Sequence, residues 1–208
     1  MKRIIAIGGA VIKTAKPELK MVIYQDKVEM LIHNGGSLFH DFQQVLDTDL
    51  KGHSYPIDDL IQDQQCNNLT SVEIWNWIYG RKRAPIKSVT RICQDMKIPV
   101  LLFTALGCDF WHMIDKSSWG FLGKYQSDNF IHLKTRFKWD DFHYLCMGSA
   151  VIHPEIFIKA LGEAHPKNFK ADVVDFNDMY RPRTRVAKYG YYYQMNHKDY
   201  FQKFLGRE

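Results

Sequence analysis

Three pairs of small residues stand where an apolar run gives way to a helical pattern: Gly8-Gly9, Gly35-Gly36 and Gly148-Ser149. Small residues let the main chain approach a bound group closely. A helix starting at such a turn adds free N–H groups and the positive end of its dipole. In open α/β sheets the ligand lies outside the carboxyl ends of the strands. Three such turns on one edge therefore suit the phosphates and ribose of a nucleotide or dinucleotide. Neither GxGxxG nor GxxxxGK[ST] occurs in the chain, so the common dinucleotide and P-loop fingerprints are absent. A tight strand-to-helix turn would by itself account for any one of the glycine pairs.

Polar residues follow the same apolar runs. His33, Asn34, His40 and Asp41 come after the second, and Asp109 and His112 after the third. His153 and Glu155 come after the fourth, Asp175 and Asn177 after the fifth. A parallel sheet would bring all of them to one rim. Asp41 beside His40 suits either an oriented imidazole or a carboxylate on ribose hydroxyls. Lys13, just past the first glycine turn, could reach a phosphate. No GxSxG elbow is present, which argues against a serine hydrolase, while spacing alone leaves a pair of glycosidase carboxylates open.

The elements that must position these groups alternate. Apolar runs at Arg3–Ile7, 29–33, 99–105, 144–147 and 172–175 predict strands. Helices are expected over 17–25, 37–46, 71–79, 85–96 and 154–164, with a closing helix at 197–205. Pro17, Pro85 and Pro154 each suit a first helical turn, where the missing N–H costs nothing. Two stretches, 47–70 and 116–141, read as irregular excursions. The pattern predicts an α/β fold: a Rossmann-like, mostly parallel sheet with helices on both faces. No internal repeat or linker divides the 208 residues, so one domain over 1–208 is expected.

Composition narrows the classes. Apolar residues make up 46%, enough for a sizeable core. The net charge of +5 is scattered, with basic clusters only at Arg81–Arg83 and Arg181–Arg185. Nucleic-acid binding usually shows a denser stripe. The four cysteines form no CxxC or CxxH pair, so no metal site is expected. Cys93, Cys108 and Cys146 read as buried free thiols in a reducing compartment. The start of the chain reads as a first strand rather than a signal peptide, and no stretch reaches the length of a membrane span. A cytoplasmic protein is expected.

The motifs, taken in order, resemble the deoxyhypusine synthase-like family, including its shorter bacterial members. Gly8-Gly9-Ala10-Val11-Ile12-Lys13 is similar to the family's small-residue turn followed by Val-Ile-Lys. His33-Asn34-Gly35-Gly36-Ser37-Leu38-Phe39-His40-Asp41-Phe42 is similar to its glycine turn followed by His-Asp-Phe. Ile98-Pro99-Val100, with Gly107-Cys108-Asp109 and His112-Met113 beyond it, resembles Ile-Pro-Val, Gly-Thr-Asp and a nearby His-Met. The closest match is Gly148-Ser149-Ala150-Val151-Ile152-His153-Pro154-Glu155, and Tyr180-Arg181-Pro182 and Asn196-His197 echo the C-terminal motifs. The ordered set spans nearly the whole chain.

The resemblance implies an NAD-binding Rossmann-like fold and a homotetramer with active sites at subunit interfaces. It also implies NAD-dependent chemistry on a polyamine. The family's imine-forming lysine has no equivalent here, and His153 falls about where it would stand. The expected function is an NAD-dependent transferase or oxidoreductase acting on an amine-like small substrate. NAD would be held by Gly8, Gly9, Lys13, Asn34, Gly35, Gly36, His40, Asp41, Gly148 and Ser149. Asp109, His112, His153 and Glu155 would hold and deprotonate substrate, since histidine suits proton transfer near neutral pH. Two other classes stay open. One is an enzyme that cleaves the glycosidic bond of NAD or a nucleoside, with Asp41, Asp109 or Glu155 stabilising an oxocarbenium-like centre. The other is a non-catalytic nucleotide-binding assembly protein.

Overall fold

The computed structural model describes residues 3–25, 27–43, 83–105, 119–139 and 141–205. The expectations at Asp109, His112, Cys66, Cys108, the 71–79 helix and the 47–70 excursion lie outside them. Six strands form one sheet: β1 (Arg3–Ile7), β2 (Val28–Asn34), β3 (Val100–Phe103), β4 (Phe142–Met147), β5 (Phe169–Asp175) and β6 (Tyr192–Gln194). Their order is β3-β2-β1-β4-β5-β6, and every pairing is parallel. This is the doubly wound order, whose direction of progression reverses between β1 and β4.

Alternation along the strands explains why both faces are covered. Ile5, Ile7, Leu31, Leu145, Met147 and Val174 pack into one apolar cluster. Their neighbours Ile4, Ala6, Met30, Ile32, Tyr144, Cys146 and Val173 pack into another on the opposite face. Successive strand side chains point to opposite faces, so a strand apolar at every position must be sandwiched. The first cluster takes in α1 (Gly9–Tyr24), α3 (Val89–Asp95) and the C-terminal α7 (His197–Tyr200) with its π-helical continuation Phe201–Leu205. The second takes in α4 (Trp119–Phe137) and α5 (Ile152–Ala164). Its centre is aromatic: Phe137 stacks on Phe142 with centroids 4.4 Å apart, and Phe157 lies 4.6 Å from Tyr144.

Four sequence expectations change. Residues 119–137 form a 19-residue helix rather than an excursion. Gly120 and Gly123, which suggested irregularity, stand where an added Cβ would meet nothing within 4 Å. α1 begins at Gly9, ahead of the expected start, and leaves helical geometry at Ala15. Pro17 then sits in the first turn of the continuation, where its missing N–H is tolerated. Pro85 precedes its helix instead of entering it. Ser88 is the N-cap, and its side chain accepts from Arg91 N–H. Pro154 does stand in the first turn of α5. β6 and α6 (Tyr180–Arg185) add to the expected elements.

Candidate functional site

The carboxyl ends of β1, β2, β4 and β5 bring most of the expected residues to one rim. β1 lies between β2 and β4, so its glycine turn meets both neighbouring turns. Gly8 N–H donates to the Met147 carbonyl at 2.8 Å, and Gly148 N–H to the Val174 carbonyl at 3.1 Å. A Cβ on Gly8 would run into the carbonyl of Gly148. A Cβ on Gly9 would lie 2.9 Å from the His40 ring. These two glycines are therefore required by contact between turns within the chain. Gly148 has φ +61°, the left-handed region that favours glycine. Gly35 and Gly36 are the first two residues of α2 (Gly35–Gln43).

Asn34 caps α2. Its Oδ1 accepts from Ser37 N–H at 2.8 Å, and its own N–H donates to Ser37 Oγ at 3.0 Å. Ser37 Oγ also lies 2.9 Å from His33 Nδ1. On its other side His33 Nε2 is 3.4 Å from Thr90 Oγ1, whose hydroxyl donates to Asp41 at 3.0 Å. Thr90 gives its proton to the carboxylate, and the Ser37 hydroxyl is placed to donate to the Asn34 carbonyl at 3.1 Å. His33 is fully buried, and desolvation lowers its pKa to about 4.

Asp41 does not face this rim as a ligand. It is 0% exposed. Its carboxylate accepts from Val89 N–H at 2.7 Å and Thr90 N–H at 3.0 Å, and pairs with Lys16 Nζ at 3.0 Å. It thus caps α3 from 48 residues away and holds it against α1 and α2. The expectation of a ribose contact gives way to this positioning role. Glu155 stands in the first turn of α5, bonded to Arg185 at 2.5 Å with Arg181 at 3.5 Å. It is an ion-pair partner of α6 rather than an unpaired acid. Lys13 is exposed on α1, as is Lys159 on α5. Of the three carboxylates of the glycosidic-cleavage alternative, Asp41 is sealed, Glu155 is ion-paired and Asp109 lies outside the described residues.

His153 behaves differently. It occupies the first turn of α5, 0% exposed, with neither ring nitrogen in hydrogen-bond geometry with any partner. Its peptide N–H reaches Ser149 Oγ at 3.4 Å, and Ser149 is also buried. Desolvation brings its pKa down to about 3, against a smaller opposing effect of the nearby His33 backbone. At neutral pH it is an uncharged imidazole offering one donor and one acceptor, a weaker base than expected of a proton-abstracting group.

His197, whose pair with Asn196 opens the last helix, reaches the same edge although it is not among the expected site residues. It is 0% exposed, and both ring nitrogens lack partners. Its ring packs over Gly148, within 3.1 Å of where a Cβ would stand, and edge-on to Phe176 at 4.5 Å. Burial lowers its pKa to about 4. Thr104, just past β3, adds a third kind of unpartnered group: its buried hydroxyl has no partner, while its N–H donates to Gln126 at 2.9 Å. Buried polar groups are nearly always paired, so several orphans on one edge mark a place that a ligand or water completes. Burial raises the thiol pKa of both Cys93 and Cys146. Both are free and buried as expected. Among the described residues no group of three metal-ligating side chains forms, and no helix is long and apolar enough to cross a membrane.

The fold has solved counterparts. The conserved putative LOR/SDH protein of Methanococcus maripaludis S2 superposes with a TM-score of 0.59 at 14% identity, over 97% of this chain and 58% of that one. AgrE in ternary complex with ornithine and NAD+ gives 0.59 at 16% identity, over 97% of this chain and 29% of that one. ArgZ, an arginine dihydrolase from the ornithine–ammonia cycle in cyanobacteria, gives 0.57 at 16% identity, over 97% and 28%. The chain thus spans between about a quarter and three-fifths of the length of these structures. The likeness is one of fold. No family model matches the chain, and no curated protein matches it.

Proposed function

We propose that the crevice outside β1 and β4 binds NAD, and that the chain is an NAD-dependent transferase or oxidoreductase acting on an amine-like small substrate. The observation that carries this reading is the buried, unpartnered imidazole of His153 at the point where the strand order reverses. That point is where doubly wound sheets take their ligands. The residues fit such a group: α5 begins at Ile152, just past the β4 turn, and His153 and His197 offer unpartnered donors and acceptors there. A nicotinamide cofactor would supply hydride transfer. The chain's own contribution is to orient: Asn34, Ser149 and His153 would hold polar atoms, and His197 would close the β4–β5 side.

The similarity to AgrE, whose structure holds NAD+ and ornithine, supports the cofactor class and an amine-bearing substrate. The resemblance to the deoxyhypusine synthase-like family supports a polyamine and a homotetramer. With histidine in place of the imine-forming lysine, substrate would be held without that covalent bond. Calorimetric titration of purified protein with NAD tests the reading. Micromolar binding that disappears in His153→Phe but survives in Lys159→Ala, with both variants melting as cooperatively as wild type, is the expected result. Absence of NAD binding to the wild-type protein would overturn it. With binding established, spermidine and diamines are screened for reduction of the cofactor.

A further inference from the structure

We infer that Asn34 makes the ribose corner of this crevice uncharged, so that a dinucleotide bearing a 2′-phosphate is accepted about as well as one with a free 2′-hydroxyl; the inference rests on the dinucleotide reading above. In doubly wound dinucleotide sites, an acid about 20 residues past the glycine turn takes the ribose hydroxyls, and its charge disfavours a 2′-phosphate. Here the chain from Gly9 arrives at Asn34, the last residue of β2. Its side-chain oxygen is occupied by Ser37 N–H at 2.8 Å. What remains is the Nδ2 amide, a donor with no charge, which can bond a hydroxyl oxygen or a phosphate oxygen and repels neither.

Asp41, the first described acid after Asn34, cannot replace the missing carboxylate. Both its oxygens accept hydrogen bonds from α3, Lys16 lies 3.0 Å away, and it is fully buried. Across the sheet, Asn34 is in register with Phe103 of β3. The next residue, Thr104, is 7% exposed with an unpartnered hydroxyl. That orphan is an independent sign that a polar ligand atom completes the corner, and it too is neutral.

The test is calorimetric titration of the whole protein with NAD and with NADP, in wild type, Asn34→Asp and Asn34→Ser. Aspartate and serine cap helices about as well as asparagine, so α2 keeps its start while the charge changes in one variant only. Wild type and Asn34→Ser are expected to bind the two dinucleotides within about threefold of each other, and Asn34→Asp to lose at least about tenfold in affinity for NADP alone. A wild-type preference for NAD beyond about tenfold, or an unchanged ratio in Asn34→Asp, would overturn the inference while leaving the dinucleotide site standing. Failure of both dinucleotides to bind would remove the site and the inference together.

Discussion

Two buried histidines on the same strand–helix unit have opposite surroundings. His143, the second residue of β4, has its Nε2 2.9 Å from Asp172. The same carboxylate takes Lys170 Nζ at 2.8 Å and Tyr191 N–H at 2.8 Å. His153, just past the other end of β4, has no partner for either nitrogen. The His143–Asp172 cluster is completed within the chain, whereas Arg3 Nε in β1 and the Tyr144 hydroxyl in β4 are buried without a partner. At the carboxyl ends the sheet leaves His153, His197 and Thr104 incomplete. Polar atoms completed within the chain hold the fold, while those left open at the rim are the ones available to bind.

The contrast breaks first if the closed cluster is not holding the fold. Asp172→Asn removes the charge that His143 and Lys170 share. Losing hydrogen bonds to a charged group costs about 1.5–3 kcal/mol, and with Lys170 40% exposed the lower part of that range is expected. Urea unfolding is expected to show that loss, and a change under about 1 kcal/mol would class the cluster with ordinary surface pairs.

Acid titration separates the two ends next. The free histidine value is 6.5, and burial holds His33 to about 4, His153 to about 3 and His197 to about 4. As pH falls below 6.5, the unfolded chain takes up protons that these folded imidazoles refuse. The stability they contribute is full above that value and declines until the folded values are reached. Between pH 7 and pH 5 each is expected to cost about 2 kcal/mol. Asp172 acts in another window. Its hydrogen bonds to His143 and Lys170 hold it below its ordinary 3.8 despite the opposing cost of burial. Its contribution persists above 3.8 and is lost as pH falls through the folded value. Urea midpoints measured from pH 7 to pH 5 should therefore drop steeply in wild type and less in His197→Phe. A flat profile would mean that the rim imidazoles are not desolvated.

Gly148→Ala tests the join between turn and rim. At φ +61° an alanine is strained, and its methyl would press on His197 at 3.1 Å. A loss of about 1–2 kcal/mol is expected, read from thermal melts. A neutral outcome would show that His197 moves aside without cost and does not close the crevice.

How much of this was legible in the sequence depends on how local each cause was. Five of the six strands and their parallel direction followed from apolar runs alternating with helical patterns and glycine turns, and three turns on one rim followed from that direction. α4 was missed because Gly120 and Gly123 look like loop chemistry. The glycines face open space, where a helix tolerates them at a modest cost. Asp41 was misassigned because its partners, Val89 and Thr90, are 48 and 49 residues away, and nothing next to it in the chain announces a helix cap. The ion pairs of Glu155 with Arg181 and Arg185 were hidden in the same way, 26 and 30 residues along the chain. His197 carried a signal, the Asn-His pair opening the last helix, but only the fold lays it over Gly148.

The smallest effect sharpens the contrast inside a single helix. Gly162 lies in α5, the helix that carries His153, yet a Cβ there would meet nothing within 4 Å. Its φ falls outside the left-handed region, so no backbone strain requires glycine. Glycine in a helix gives up more chain entropy on folding than alanine does, and Gly162→Ala should stabilise by about 0.5–1 kcal/mol. The gain belongs to the lower part of that range, because Gly162 is in the last turn before the αL residue His165. A rise in melting temperature with dinucleotide affinity unchanged would show that α5 tolerates stiffening at the end away from the rim. If affinity fell as stability rose, the fraying of that last turn would be coupled to His153, and α5 could no longer be treated as a rigid support for the imidazole.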